Sequence, residues 1–126
     1  MSDRTFPLLY AEHVSETAGF YEKLGFAPFR RSPETGDPEY IALRRGQAEM
    51  AVVSTAWPPQ QYGGTASRGP SFEMFVQVDD LTRTLEKLRA DGISVLRSAV
   101  DMPWGERIAY VSDPEGNPVA LATSTD

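Results

Sequence analysis

An internal repeat constrains the fold of this chain more than any other feature of its sequence. Residues 6–11 read as a short strand, and residues 14–24 read as a helix that ends at Gly25. The same plan recurs 67 residues later, where the strand-like run 72–78 precedes a helix that ends at Gly92. Glycine is common just after a helix because it adopts left-handed backbone angles without strain. Since Gly25 and Gly92 coincide under this shift, the chain is predicted to contain one structural unit twice.

Each predicted helix carries an apolar stripe along one side. Apolar residues spaced by three or four positions share one face of a helix, so both helices are expected to pack against a sheet. Asp79 or Asp80 is expected to cap the start of the second helix. The stripes consist of Val14, Ala18, Tyr21 and Leu24 in the first half and of Leu81, Leu85 and Leu88 in the second half.

Three further strand-like runs follow each of the two glycines. Each half therefore reads β-α-β-β-β, which predicts an α+β fold of two tandem βαβββ modules with a curved mixed sheet around a cleft. A cleft of this kind is the usual place for a binding site. The runs are 27–31, 39–44 and 49–54 in the first half and 94–98, 107–112 and 118–123 in the second half.

The segment between the halves, 55–71, is rich in proline, glycine and serine. This composition is typical of a loop, and long loops inside compact domains are usually functional or mobile. The length of 126 residues is that of one domain. We therefore expect a single domain, 1–126, whose two modules at about 5–55 and 72–124 are joined by this linker.

Composition excludes several classes of partner and chemistry. The net charge is −6 and the pI is near 4.7; lysines and arginines are scattered, so no nucleic-acid partner is expected, and a cationic ligand is weakly favoured. The absence of cysteine excludes disulfides and thiolate chemistry. No apolar run approaches the ~20 residues of a membrane span, and the N-terminus lacks a secretory pattern. No membrane partner is therefore expected, and the cytoplasm is the default location.

Few residues could carry acid–base or metal chemistry. His13 is the single histidine; with Glu12 and Glu16 nearby it could be a ligand or a base, or a solvated residue at a helix start. One histidine cannot complete a triad of two histidines and a carboxylate. Glu73 interrupts an apolar strand and by alternation shares a face with Phe75, so it faces either water or the cleft. In an apolar cleft its pKa would be raised, which suits a base or the partner of a ligand amine.

The aromatic residues fall into two groups. Core packing explains the first group, Phe20, Tyr21 and Phe26, which surrounds the first helix. The second group lies on strands or in loops at strand ends, where rings can form a stacking surface for a planar ligand and attract a cationic one. Its members are Tyr10, Tyr40, Trp57, Phe75, Trp104 and Tyr110.

Three stretches of the chain resemble, in order and spacing, the vicinal oxygen chelate superfamily of glyoxalases, extradiol dioxygenases and bleomycin-resistance proteins. They are FYEKLGF (20–26), VDDLTRTLEKLRADG (78–92) and PWGERIAYVSDPEGNPVAL (103–121). The resemblance extends from residue 6 to residue 121. It implies paired βαβββ modules, often in a homodimer in which modules of different chains combine to make the site.

The enzymes of this superfamily hold a divalent metal through four positions, one on the first and one on the last strand of each module. Alignment on the three stretches places these positions at Phe6, Val52, Glu73 and Ala120. Of these, Glu73 alone can be a ligand, and a single carboxylate cannot fix a metal for Lewis-acid chemistry. The resemblance therefore implies no metal and no cofactor, which weighs against glyoxalase or dioxygenase activity.

The remaining features are similar to the metal-free, bleomycin-resistance-type branch, whose small, acidic, usually dimeric members bind a drug unaltered in an aromatic-lined cleft. The tryptophan of its PWG motif, here Trp104, is associated with that cleft, and Arg107 matches the arginine that follows. The resemblance thus implies a non-catalytic homodimer that sequesters an aromatic antibiotic or natural product in self-resistance, with rings that stack on the ligand and Glu73 or Arg107 as its polar anchor.

Two other functions remain open from the sequence. The first is an enzyme of the same fold, a lyase- or dioxygenase-type catalyst that uses Glu73 as acid or base, with or without a metal. The second is a structural or regulatory domain that binds a partner.

Overall fold

A computed structural model of the chain describes residues 4–67 and 69–125. The chain divides into two compact units, 1–67 and 68–126. Each unit contains a four-stranded mixed sheet and one long helix. The α+β class and the two tandem βαβββ modules are therefore confirmed, and the hydrogen bonding of each sheet is contained within one module.

The first module has four strands in the order β1-β4-β3-β2. The β1 strand is parallel to β4, and the other neighbours are antiparallel. The α1 helix leads from β1 to β2 and packs against β3 and β4. The elements are β1 (Leu8–Ala11), α1 (Val14–Glu22), β2 (Ala27–Ser32), β3 (Tyr40–Arg45) and β4 (Ala48–Ser54), followed by a short helix α2 (Trp57–Tyr62).

The second module repeats this arrangement in the order β5-β8-β7-β6. Here β5 is parallel to β8, and the other neighbours are antiparallel. Three of the strands extend past an end of the predicted run by up to three residues, because the ladder continues where the side-chain pattern no longer alternates, whereas β5 is shorter than the predicted run 72–78. The elements are β5 (Met74–Gln77), α3 (Leu81–Ala90), β6 (Val95–Asp101), β7 (Glu106–Ser112) and β8 (Pro118–Ser124).

The ends of the helices follow from local chemistry. Gly25 and Gly92 have φ angles of 97° and 81°, so both adopt the left-handed conformation that the repeat predicted. Asp80 rather than Asp79 caps α3, since its side chain accepts a hydrogen bond of 3.0 Å from the backbone N–H of Arg83. Both helices therefore begin where the sequence indicates, and α1 ends at Glu22, two residues before its predicted end.

The core of each module is formed by the predicted stripe of its helix. All seven stripe residues are buried. The ring of Tyr21 lies edge-on to those of Phe20 and Phe26, with centroids 5.0 and 6.1 Å apart. This contact confirms that these three rings belong to the core and not to a ligand surface.

The segment after β4 is more ordered than its composition predicted. Residues 57–62 form α2, with proline in the first turn, where its missing N–H costs nothing. Gly63, with φ at 76°, ends the helix, and the N–H of the next residue, Gly64, donates to the carbonyl of Pro58 at 3.2 Å. The proline and glycine that favoured a loop are here the start and end signals of a short helix.

A buried polar turn connects β7 to β8. Asp113 Oδ1 accepts hydrogen bonds from the backbone N–H groups of Glu115 (2.9 Å) and Asn117 (2.8 Å). Asn117 Oδ1 in turn accepts a bond of 3.0 Å from the N–H of Ser71, which precedes β5. The DPEGN motif is therefore a structural turn that fixes the chain on both sides of the second sheet. Among the helices within the described residues, none is long and apolar enough to span a membrane.

Candidate functional site

The first sheet has one covered and one open face. Leu9 and Val52 are a buried pair on β1 and β4, whereas the adjacent Leu8, which pairs with Ala51, is 37% exposed. Successive residues of a strand point to opposite faces. We call the face of Leu8 the open face of the first sheet.

A groove with a volume of about 530 Å³ lies on this open face. The ring of Tyr40 on β3 lies 5.6 Å from the ring of Trp57 on α2, at an interplanar angle of 36°. The structure thus brings together two of the aromatic residues that the sequence proposed for a ligand surface. The groove is lined by Phe6, Leu8, Arg30, Arg31, Ser32, Glu39, Tyr40, Trp57 and Gln60.

Tyr10 lies in the same cross-strand row as Tyr40, because Val53 pairs with both residues. Its hydroxyl is 3.0 Å from the hydroxyl of Tyr62, the last residue of α2. This hydrogen bond, together with desolvation, raises the pKa of Tyr10. The two tyrosines therefore tie the end of α2 to β1 beside the groove.

The second sheet also has an open face, which carries Phe75 and Tyr110. Ala120 pairs with both residues, so all three lie in one row across β5, β8 and β7. Ala120 belongs to a buried apolar cluster with Ile108 and Ala122, against which Tyr110 packs. Phe75 is 54% exposed. The row therefore places the small, buried side chain of Ala120 between two aromatic residues.

Trp104 lies in the turn before β7 and is 66% exposed. Its indole N–H donates a hydrogen bond of 2.7 Å to Glu106 Oε1. Glu106 alternates with Ile108 and Tyr110 and therefore shares their face of β7. The ring is thus held by its polar atom at the edge of the open face.

Arg107 lies on the opposite face of β7 from Tyr110. Its Nε donates to Asp101 Oδ1 at 2.6 Å, and both side chains are largely exposed. This hydrogen bond lowers the pKa of Asp101 and raises that of Arg107. The structure therefore gives Arg107 a partner within the second module and does not bring it to the aromatic row.

The remaining candidates are exposed. Glu73 precedes β5, and His13 precedes α1 without a side-chain capping bond. The register also corrects one expected metal position, because Ala51 pairs with Leu8 as Ala120 pairs with Phe75. Val52 lies on the covered face, so the position that corresponds to Ala120 is Ala51.

The residues at the metal positions of the superfamily do not fit a metal. Phe6, Ala51 and Ala120 have no donor atom, Glu73 supplies a single exposed carboxylate, and the nearby carboxylate of Glu49 is engaged at 2.8 Å by Arg4. This pairing lowers the pKa of Glu49. Within residues 4–67 and 69–125, no three side chains of His, Asp or Glu are grouped as metal ligands would be.

Several groove residues were not predicted from the sequence as ligand contacts. Tyr62 could have been found from the proline and glycine that delimit α2. The two arginines carried no local signal, because their direction depends on the pairing of β2 with β3. The unpredicted residues of the groove and its edge are Phe6, Leu8, Arg30, Arg31, Ser32, Glu39, Gln60 and Tyr62.

Comparison with known proteins gives two sequence likenesses. A family model described as the Glyoxalase/Bleomycin resistance protein/Dioxygenase superfamily matches residues 5–121. A bleomycin resistance protein from Klebsiella pneumoniae is 26% identical over 128 residues, and the alignment covers 96% of this chain and 92% of that protein.

Solved structures give matches of the same kind. A glyoxalase/bleomycin resistance protein/dioxygenase family enzyme from Burkholderia phytofirmans PsJN matches with a TM-score of 0.84 and 16% identity, covering 98% of this chain and 99% of that chain. A bleomycin-binding protein complexed with bleomycin matches with a TM-score of 0.64 and 22% identity, covering 98% and 99%. At these identities the likeness concerns the fold.

Proposed function

The chain belongs to the Glyoxalase/Bleomycin resistance protein/Dioxygenase superfamily, and on that premise we propose that it is a non-catalytic protein that binds an aromatic natural product. Sequestration of such a compound would protect the producing or exposed cell, as in antibiotic resistance. The bleomycin resistance protein from Klebsiella pneumoniae and the bleomycin-binding protein make this class of function the natural one to test.

The observation that carries this proposal is the aromatic groove of the first module. Tyr40 and Trp57 present tilted rings 5.6 Å apart, and Phe6 and Leu8 extend the apolar lining. A groove of about 530 Å³ is within the range of small-molecule sites. Rings fixed in this way give contact area at little entropic cost when a planar ligand binds.

The open face of the second module supports the same function. Phe75 and Trp104 are exposed by 54% and 66%, and Tyr110 lies in the row of Phe75. Exposed aromatic residues concentrated on one face indicate a contact surface. We propose that these rings are ligand contacts of the second module, and that the protein acts as a homodimer.

A fluorescence titration tests the binding. The chain has two tryptophans, so Trp104→Phe leaves Trp57 as the only indole reporter and Trp57→Phe leaves Trp104. Addition of bleomycin, or of a panel of planar aromatic antibiotics, is expected to quench the fluorescence of both variants. The compound should be recovered unchanged by mass spectrometry after incubation; a chemically altered product would establish an enzyme instead.

A matched pair of variants on α2 tests the groove. Trp57→Ala removes the ring, and we expect the affinity to fall about tenfold or more, given the value of one aromatic contact plus its buried area. Gln61→Ala lies on the same helix outside the groove lining and should bind as the parent does. Equal affinity of both variants would show that the ligand does not use this groove.

A further inference from the structure

A β-bulge turns one arginine of the first module onto the open face. Pro28 pairs with Leu43, but the next pair on β2 is Arg30 with Ala42, so Phe29 is an extra residue. Bulges re-aim the side chains that follow them. Without the bulge, alternation from Pro28 would put Arg30 on the covered face. The guanidinium of Arg44 lies 4.1 Å from the centroid of the Phe29 ring and packs on the bulge.

The bulge places Arg30 at the end of an apolar row. Ala42 pairs with Ala51, and Ala51 pairs with Leu8. The row therefore runs from Leu8 across two alanines to Arg30, and both ends line the groove. The short alanine side chains give a ligand room to lie along the sheet with one end at the guanidinium.

The second module has the same device at the equivalent place. Val95 pairs with Val111, and Arg97 pairs with Tyr110, so Leu96 is the extra residue. Arg97 then ends the row that begins at Phe75. Under the 67-residue shift, Leu96 corresponds to Phe29 and Arg97 to Arg30. Because a bulge followed by an arginine occurs in both modules, the position of this arginine at the end of the row is a repeated feature of the module.

The groove of the first module is rich in hydrogen-bond donors. Within the described residues the structure shows no direct hydrogen bond from the Arg30 side chain, and its charge, with those of Arg4 and Arg44, lowers the pKa of Glu49. The guanidinium of Arg31 donates to the carbonyls of Pro33 and Gly36, which do not neutralise its charge. Glu39 contributes the one carboxylate of the lining. The groove is therefore locally cationic in a chain whose net charge is −6.

From this arrangement we propose that the ligand carries an anionic group, such as a carboxylate, sulfonate or phosphate, which Arg30 binds while Tyr40 and Trp57 stack on the aromatic part. The inference rests on the proposed binding function. It predicts an anionic ligand, whereas the net charge of the whole chain would favour a cationic one. An arginine donates two parallel hydrogen bonds to a planar or tetrahedral oxyanion, and such charge-assisted pairs are the stronger ones. Long-range attraction by the net charge is screened by salt and acts weakly beside a direct contact.

Three probes that share one ring system isolate the charge. The full-length protein is titrated separately with 2-naphthoate, 2-naphthamide and 2-naphthylmethylammonium. NMR follows the indole N–H signals of Trp57 and Trp104, which are assigned with the Trp104→Phe variant. We expect naphthoate to shift the Trp57 signal with an affinity about tenfold above that of the amide. The ammonium compound should bind most weakly, and added salt should weaken naphthoate alone.

A pair of variants assigns the effect to one residue. Arg30→Gln should remove the preference for naphthoate and leave the affinity for naphthamide unchanged. Arg83→Gln changes the net charge equally on exposed α3 and should retain the preference. Binding of the ammonium or the amide as tightly as naphthoate, or an unchanged preference in Arg30→Gln, would overturn the inference. If bleomycin perturbs the indole signals and naphthoate does not, the sequestering function stands and the anionic ligand class is wrong; if neither does, both fail.

Discussion

Trp104 shows how a large ring can be both exposed and fixed. The N–H of Gly105 donates to the carbonyl of Met102 at 3.2 Å, and the N–H of Met102 donates to the carbonyl of Glu106 at 2.7 Å. The chain therefore closes a tight turn under the tryptophan, and Gly105 supplies the required φ of 94°. Since Glu106 also holds the indole N–H, the ring is anchored at its polar edge while its faces stay open for stacking.

The Asp101–Arg107 pair gives a prediction at the scale of single residues. Arg107 holds the pKa of Asp101 below its ordinary value through a hydrogen bond of 2.6 Å. A carboxyl whose pKa is depressed by folding stabilises the fold above its unfolded pKa and loses that contribution as the pH falls through its folded pKa. In Arg107→Gln we expect the pKa of Asp101 to rise toward its ordinary value, and the acid-side loss of stability to become shallower.

Carbon-detected NMR of the Asp101 carboxyl against pH measures this shift directly. Arg89→Gln on exposed α3 removes the same charge elsewhere and should leave the titration unchanged. Because both partners are exposed, the effect on stability at neutral pH should be small. A pKa that stays depressed in Arg107→Gln would mean that another group is its cause.

At the scale of elements, local patterns predicted what depends on local periodicity. The order of strands and helices, both apolar stripes and the ends at Gly25 and Gly92 follow from spacing and backbone preference. The direction of Arg30 and Arg97 could not be predicted, because a bulge is defined only by the register of the partner strand. For the same reason the metal position on β4 was predicted at Val52, whereas the register places it at Ala51. One step along a strand reverses the face to which a side chain points.

The sequence predicted only part of the candidate site, because the direction of a strand side chain depends on the register of the partner strand. The sequence predicts Tyr40 and Trp57 as aromatic residues outside the core, and both line one groove. The motif predicts Arg107 as a ligand contact, but alternation along β7 puts it on the other face from Tyr110. A motif identifies the residue, whereas the ladder determines where its side chain points.

The α2 helix gives a prediction at this scale. Tyr62 at its C-terminal end is joined to Tyr10 on β1 by a hydroxyl–hydroxyl hydrogen bond of 3.0 Å, and Trp57 at its start lies in the groove. Loss of the bond should loosen α2 and with it the position of Trp57. We expect Tyr10→Phe and Tyr62→Phe each to weaken ligand binding severalfold, and the double variant to be no weaker than either single one.

Hydrogen exchange of the α2 amides provides the structural readout. Protection should fall in both single variants and remain unchanged in Tyr110→Phe, which removes a hydroxyl from the second module. The pKa of Tyr10 should also fall in Tyr62→Phe, because the hydrogen bond that raises it is lost. Strictly additive effects of the two substitutions would show that the two hydroxyls act independently.

At the scale of the whole molecule, the two modules have the same arrangement of strands and helices but different surfaces. The first module has a groove with a local positive charge. The second module exposes more large apolar side chains, namely Phe75, Leu96, Val100 and Trp104. Monomeric proteins rarely leave such side chains together on a surface without a partner. The larger exposed apolar area of the second module therefore suits contact with another protein chain as well as with a ligand.

The last prediction concerns assembly. If a second copy of the chain covers the apolar residues of the second module, the protein should sediment at twice its mass of 13.9 kDa at micromolar concentration. Val100→Glu places a charge on β6 at a position that is 41% exposed, and a buried unpaired charge is costly. We expect this variant to sediment as a monomer, whereas Thr82→Glu on exposed α3 should remain dimeric. A parent protein that stays monomeric up to about 100-fold higher concentration would contradict the dimer. The exposed apolar side chains would then serve ligand binding alone, and Val100→Glu should weaken that binding without any change in mass.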